Sequence, residues 1–288
     1  MVRYYEIAGL ILACYLPETE FFQESVQYSR FRSEAKEADV QVDFFIKEIE
    51  KERGTLVYQD ERQHIRTEQD EILRYIGNFS LDEKIGKPLI CQRYQKGKPG
   101  KYKIYLSGNG EYFSEKFFMD NMGLDHIMVD FGRVILHSSF LVYRGEGILF
   151  SAPSGTGKST QADLWEKYLP GTEIVNGDRS ILGYKEGRIW AYGLPMCGSS
   201  GITKQIYAPV KSIVVLRQGK ENQLSRLKPS HAFRFLLSEC GVSLWSKEDM
   251  EQVMQILQDV VQHVPVYYFS CRPDEYAVYT LRNVLYKD

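Results

Sequence analysis

The stretch Ser151-Ala152-Pro153-Ser154-Gly155-Thr156-Gly157-Lys158-Ser159-Thr160 decides how this chain is read. Before it comes Gly147-Ile148-Leu149-Phe150, an apolar run suited to a buried strand. After it, Thr160 to Tyr168 reads as a helix stopped by Pro170-Gly171. Strand, glycine-rich loop and helix in that order suit phosphate. Loop N–H groups wrap anionic oxygens, and the helix adds the positive end of its dipole. Gly155 and Gly157 permit backbone angles that a side chain obstructs. In this pattern Lys158 reaches the β- and γ-phosphates, the Ser159 hydroxyl binds Mg²⁺, and Thr160 lies near the α-phosphate. Ala152 stands where the strict pattern has its first glycine. That position chiefly needs to be small, and alanine is comfortable there at negative φ. The expected ligands are therefore ATP and Mg²⁺, held by Ser154, Gly155, Thr156, Gly157, Lys158, Ser159 and Thr160.

Phosphoryl transfer also needs an acid to hold metal and a group to orient or deprotonate the acceptor. Asp178, in Ile174-Val175-Asn176-Gly177-Asp178-Arg179, follows the next strand, at the end where α/β sheets place their ligands. It is read as metal ligand, general base or both, against the simpler reading of an aspartate capping a turn. Arg179 either neutralises transferred phosphate or pairs with an acid. His137, within Val134-Ile135-Leu136-His137-Ser138-Ser139, is either a core histidine or a second proton-handling group. The run Gly193 to Gly201, with Lys204 beyond it, is a second glycine-rich loop. It either closes over substrate or is an ordinary surface loop.

Further out, Ile127-Met128-Val129, Ser138 to Tyr143, Ile189 to Tyr192, Ser212 to Leu216 and Val264 to Phe269 read as strands. Arg144 to Gly147 reads as a tight turn. Helices fit Ser230–Leu237, Lys247–Gln262 and Pro273–Tyr286. Residues 1–124 are richer in short β-like runs, among them Val40 to Ile46 and Tyr102 to Leu106, and Ile7 to Leu16 reads as a buried strand. Leu16 to Glu37 fits a helix or a long loop. The fold class is α/β, a nucleotide-binding domain over 125–288 behind a smaller β-rich region over 1–124.

The 288 residues, 43% hydrophobic and 26% charged, suffice for a sizeable core, and the net charge of −2 supplies no basic field for nucleic acid or anionic membrane. No apolar run approaches membrane-spanning length. Five cysteines without two-residue spacing suggest core thiols, neither a disulfide framework nor a zinc site. The expected setting is the cytoplasm.

The "HSS" strand, the "PSGTGKST" loop and the "IVNGD" strand end together resemble the kinase domain of HPr kinase/phosphorylase and its relatives, which shares its fold with ATP-dependent phosphoenolpyruvate carboxykinase. "YGLPMCG" and "FSCRPDEYAV" resemble the relatives more than either named enzyme. The resemblance covers roughly 125–288 and is weak before that. It implies a serine-type kinase acting on a peptide, protein or small-molecule hydroxyl with ATP and a divalent metal, Lys158 on phosphate, Ser159 on metal, and Asp178 as metal ligand or base. It also implies an oligomer. Residues 1–124 then serve acceptor binding or assembly. Those kinases carry two adjacent aspartates at the strand end; here Asp178 stands between Gly177 and Arg179. A nucleotide-binding regulatory module with little turnover is the alternative.

Overall fold

The computed structural model describes residues 1–19, 21–35, 37–77, 79, 87–108, 113–198, 200–241, 243 and 245–287. It divides into two compact units, Met1–Ile127 and Met128–Asp288.

The first unit opens with β1 (Val2–Ile7) and β2 (Leu10–Tyr15), paired antiparallel. The apolar run from Ile7 to Leu16 is thus not one strand. It crosses a two-residue turn at Ala8 and Gly9, whose φ values of 52° and 73° are those of a tight hairpin. Among the described residues between 16 and 37 the regular structure is one short helix, α1 (Val26–Ser29), capped by the Ser25 side chain. Next come β3 (Val40–Ile46), β4 (Thr55–Gln59), β5 (Gln63–Glu68), β6 (Glu71–Ile76), β7 (Ile90–Gln95), β8 (Lys101–Leu106) and α2 (Glu115–Asp120). Among the described residues the strands form one sheet in the order β1-β2-β3-β8-β7-β6-β5-β4. Glu115, in the first turn of α2, is completely buried and ties this unit together. Its carboxylate accepts from Arg3 Nη1 at 2.9 Å, Tyr5 OH at 2.5 Å, Arg32 Nη2 at 2.9 Å and Ser25 N at 2.6 Å.

Helix α3 (Leu124–Asp130) overturns the strand expected at Ile127-Met128-Val129. Three adjacent apolar residues fit either period. Leu124, His126, Ile127, Met128 and Val129 are all buried, so the helix is covered nearly all round and offers no polar face to mark its period.

The second unit contains β9 (Arg133–Tyr143), β10 (Glu146–Ser151), α4 (Lys158–Tyr168), β11 (Glu173–Asn176), β12 (Arg179–Lys185), β13 (Arg188–Tyr192), β14 (Tyr207–Gln218), β15 (Gln223–Arg226), α5 (Pro229–Glu239), α6 (Lys247–His263), β16 (Val266–Cys271) and α7 (Glu275–Leu285). The long strands β9 and β14 each serve two neighbourhoods. The first half of β9 pairs with β12 and its second half with β10 and β11. The start of β14 pairs with β13, and its remainder lies parallel to β10 and β16. The sheet is therefore mixed, and the fold class is α/β.

Strands β10 and β14 are buried on both faces, hence their continuous apolar runs. Leu149, Ile213 and Val215 join the core that includes Leu236 of α5 and Val253, Leu257 and Val260 of α6. Ile148, Phe150, Val214 and Leu216 join the core that includes Trp165 of α4 and Val278 and Leu281 of α7. Each such side chain contributes about 1.5–3 kcal/mol on burial. With β9 antiparallel to both β10 and β11, the strands β10, β11, β14 and β16 run in one direction. Their carboxyl ends, Ser151, Asn176, Gln218 and Cys271, point the same way, the arrangement that gathers loops into a site. Among the described residues no helix is long and apolar enough to cross a membrane.

Candidate functional site

The glycine-rich loop leaves the end of β10 and enters α4 as the sequence pattern anticipates. Ala152 is buried in the core beneath α4 and is absent from the residues with positive φ. Its methyl group is therefore packed and unstrained. Gly155 and Gly157 have φ of 77° and 110°, and a Cβ added at either meets nothing within 4 Å. The two glycines thus border open space in left-handed conformations that disfavour other residues. Gly157 is the N-cap of α4 and supplies no side-chain cap, which leaves the first amides of the helix open to an anion. These features fit a phosphate group. Ser154, Gly155, Ser159 and Thr160 are exposed, and Thr156 is half-buried.

Lys158 is the buried cation of the loop. Its ammonium donates to Ala152 O at 2.8 Å and Pro153 O at 3.4 Å, folding back on the loop's own carbonyls. Burial pushes its pKa down; the carboxylates of Glu239 and Asp178 oppose that shift without cancelling it. The loop is braced by Gln218, whose amide donates to Gly155 O at 3.3 Å from the end of β14. The buried Gln161 of α4 donates to Arg272 O at 3.2 Å beyond β16.

Asp178 sits in the turn between β11 and β12. Asn176 makes that turn, its Oδ1 accepting from the amides of Asp178 at 2.9 Å and Arg179 at 3.0 Å. Arg179 lies opposite His137 in the β9–β12 ladder, which brings the histidine beside the turn. His137 Nε2 is 3.4 Å from Asp178 Oδ1, and Arg179 Nε is 3.3 Å from Asp178 Oδ2. The other ring nitrogen, Nδ1, is 3.0 Å from Glu239 Oε2. Histidine thus stands between two carboxylates. An imidazolium donates to both; a singly protonated ring donates to one.

Glu239 was not among the residues singled out from sequence. It ends α5, and the backbone bridge between Cys240 and Leu136 seats that helix end on β9. A carboxylate there opposes the helix dipole. Such an acid, unexplained by its own helix, was the available signal.

Sequence reasoning placed His137, Lys158 and Asp178 together, and the structure brings them to one end of the sheet with Glu239. Loop 193–204 lies against the same turn; Ser199 falls outside the described residues. The donors for a divalent ion are sparse. Among the described residues no group of three or more histidine, cysteine or acidic side chains converges on one point. Ser159 is exposed on the first turn of α4, and the two carboxylate oxygens of Asp178, the other ligand expected from sequence, face His137 and Arg179.

No family model matches the chain, and no curated protein matches it. Among solved structures, the Hpr(Ser) kinase/phosphatase from Coxiella burnetii is similar to 52% of this chain and 95% of its own, with 14% identity and a TM-score of 0.31.

Proposed function

We propose that the second unit is an ATP-dependent kinase that transfers the γ-phosphoryl group to a hydroxyl on a peptide, protein or small metabolite. The observation carrying this reading is that the glycine loop holding Lys158 and the turn holding Asp178 follow the carboxyl ends of β10 and β11, which both run antiparallel to β9. A phosphate-holding cation and a proton-accepting carboxylate thereby share one end of the sheet.

Catalysis here is positioning and charge neutralisation. Loop amides and the first amides of α4 hold the phosphates. Lys158 exchanges the carbonyls of Ala152 and Pro153 for phosphate oxygens. Asp178, oriented by Asn176 through the turn and by His137 from the side, accepts the hydroxyl proton. Arg179 is placed to balance charge at the transferred group. Mg²⁺, held by Ser159 and Asp178, supplies neutralisation of the phosphate oxygens when bound.

The test is ADP release and acceptor phosphorylation with Mg²⁺-ATP, comparing wild type with Lys158→Ala and Asp178→Asn. Both variants should lose transfer, and Asp178→Asn should retain binding of metal-free nucleotide. Transfer surviving in Lys158→Ala would refute the proposal. The contacts of Asp178 with both His137 and Arg179 favour a second reading, a nucleotide-binding module with little turnover. Calorimetric ATP binding without product across an acceptor screen would select it.

A further inference from the structure

We propose that Asn176 is a positioning residue that couples the Asp178 turn to the described residues of loop 193–204 (193–198 and 200–204), and that these residues are the wall along which the acceptor hydroxyl approaches. The inference rests on the kinase reading above and adds to it the acceptor side of the site.

Asn176 is fully buried, and its side chain uses its whole hydrogen-bonding capacity. Oδ1 accepts from the amides of Asp178 and Arg179 at 2.9 and 3.0 Å. Nδ2 donates to Leu194 O at 3.1 Å and Met196 O at 2.8 Å. One amide group thus faces the turn with its oxygen and the loop with its nitrogen. Thr203 Oγ1 donates to Leu194 O at 2.6 Å, closing the loop at its base. Two backbone bonds pin its ends to the sheet, Lys204 N to Val175 O at 3.0 Å and Gly193 N to Ile206 O at 2.8 Å.

The loop then touches the carboxylate itself. A Cβ at Gly198 would lie 3.0 Å from both Cβ and Cγ of Asp178, and a side chain at Gly177 would strike Ser200. The two segments are packed as closely as bare backbone allows. His137 and Arg179 flank the two carboxylate oxygens and Gly198 lies against Cβ and Cγ, so the loop forms one side of the space around Asp178. Displacing the loop displaces the base.

Two variants test this. Gly198→Ala pushes a methyl group onto Asp178 without altering the nucleotide loop; Asn176→Ala cuts the link. With Mg²⁺-ATP as the probe and water as acceptor, Gly198→Ala should lower kcat for ADP release at least about tenfold while affinity for metal-free ATP stays within about twofold. Unchanged kcat, or affinity falling in step with it, overturns the assignment. Hydrogen exchange supplies a readout that does not depend on turnover. Asn176→Ala should speed exchange in the 177–179 turn and in the loop together; loosening of only one of them, or of neither, overturns the coupling. Absence of both ADP release and acceptor phosphorylation from wild type across an acceptor screen instead sinks the kinase reading beneath it. Should Asn176→Ala fail to fold, Gly198→Ala alone decides, through the split between kcat and nucleotide affinity.

Discussion

His137 Nδ1 lies 3.0 Å from Glu239 Oε2, although 102 residues separate the two in the chain. Charge-assisted hydrogen bonds of this kind contribute about 1.5–3 kcal/mol. Glu239→Gln keeps an acceptor near Nδ1 and removes the charge. Phosphoryl transfer should therefore fall by about tenfold to a hundredfold, with ATP binding retained. Steady-state kinetics beside calorimetry checks the pair of outcomes, and equal loss of both would assign Glu239 to nucleotide binding instead.

Lys158→Met should abolish most nucleotide binding and yet leave the fold as stable as wild type or more so. Burial lowers the pKa of the ammonium, so the folded chain holds its proton less tightly than the unfolded chain. That cost is present at neutral pH and is relieved as pH rises through the lowered value toward the ordinary lysine value of 10.5. Thermal melts across this alkaline range should show wild type gaining on the variant. A variant far less stable at neutral pH would contradict the sign.

Ala152→Gly and Gly157→Ala should separate packing from phosphate binding. The first removes a buried methyl group and adds unfolded-state freedom, costing about 0.5–1 kcal/mol with nucleotide affinity nearly unchanged. The second forces a side chain into φ of 110° and into the space open to phosphate. It should lower ATP affinity by more than its effect on the melting temperature accounts for.

Glu115→Gln should destabilise the first unit by about 3 kcal/mol, because Arg3 and Arg32 lose their buried partner. Burial alone would raise the Glu115 pKa; hydrogen bonds from Tyr5, Ser25 N, Arg32 and Arg3 outweigh it and lower the value below the ordinary 4.5. The stabilisation is thus complete above the ordinary glutamate range and is lost as pH falls through the lowered value. Urea unfolding followed by circular dichroism should show wild type and variant converging in acid.

The parts of the site legible in sequence were local ones. Gly155, Gly157 and Lys158 are close in the chain, and their geometry follows from the strand and helix around them. Asp178 was legible as a strand-end acid. Glu239 was not, because its role depends on where α5 ends against β9, a contact between distant segments. Asn176 was hidden for a similar reason: a buried asparagine after an apolar strand does not reveal which carbonyls it meets. In the fold, β14 and α6 were legible from their apolar patterns. The strand β12 escaped notice, since Gly183 interrupts a short run that is buried through its middle. The turn at Ala8-Gly9 was masked by apolar residues on both sides.

The pairing of β10 with β14 has a consequence for the chain during its synthesis. Ile148 finds its parallel neighbour only when Ser212 is available, and Trp165 shares its core with Val278 and Leu281 of the last helix. A nascent chain that has emerged only through α4 already displays the whole glycine motif, yet lacks the strands and helix that hold it in shape. Such non-local pairings form late. A ligand that recognises the finished loop stabilises completed chains by mass action and leaves partial ones unprotected. Any ligand that binds this loop would accordingly protect only chains in which β14 and α7 have already packed against it.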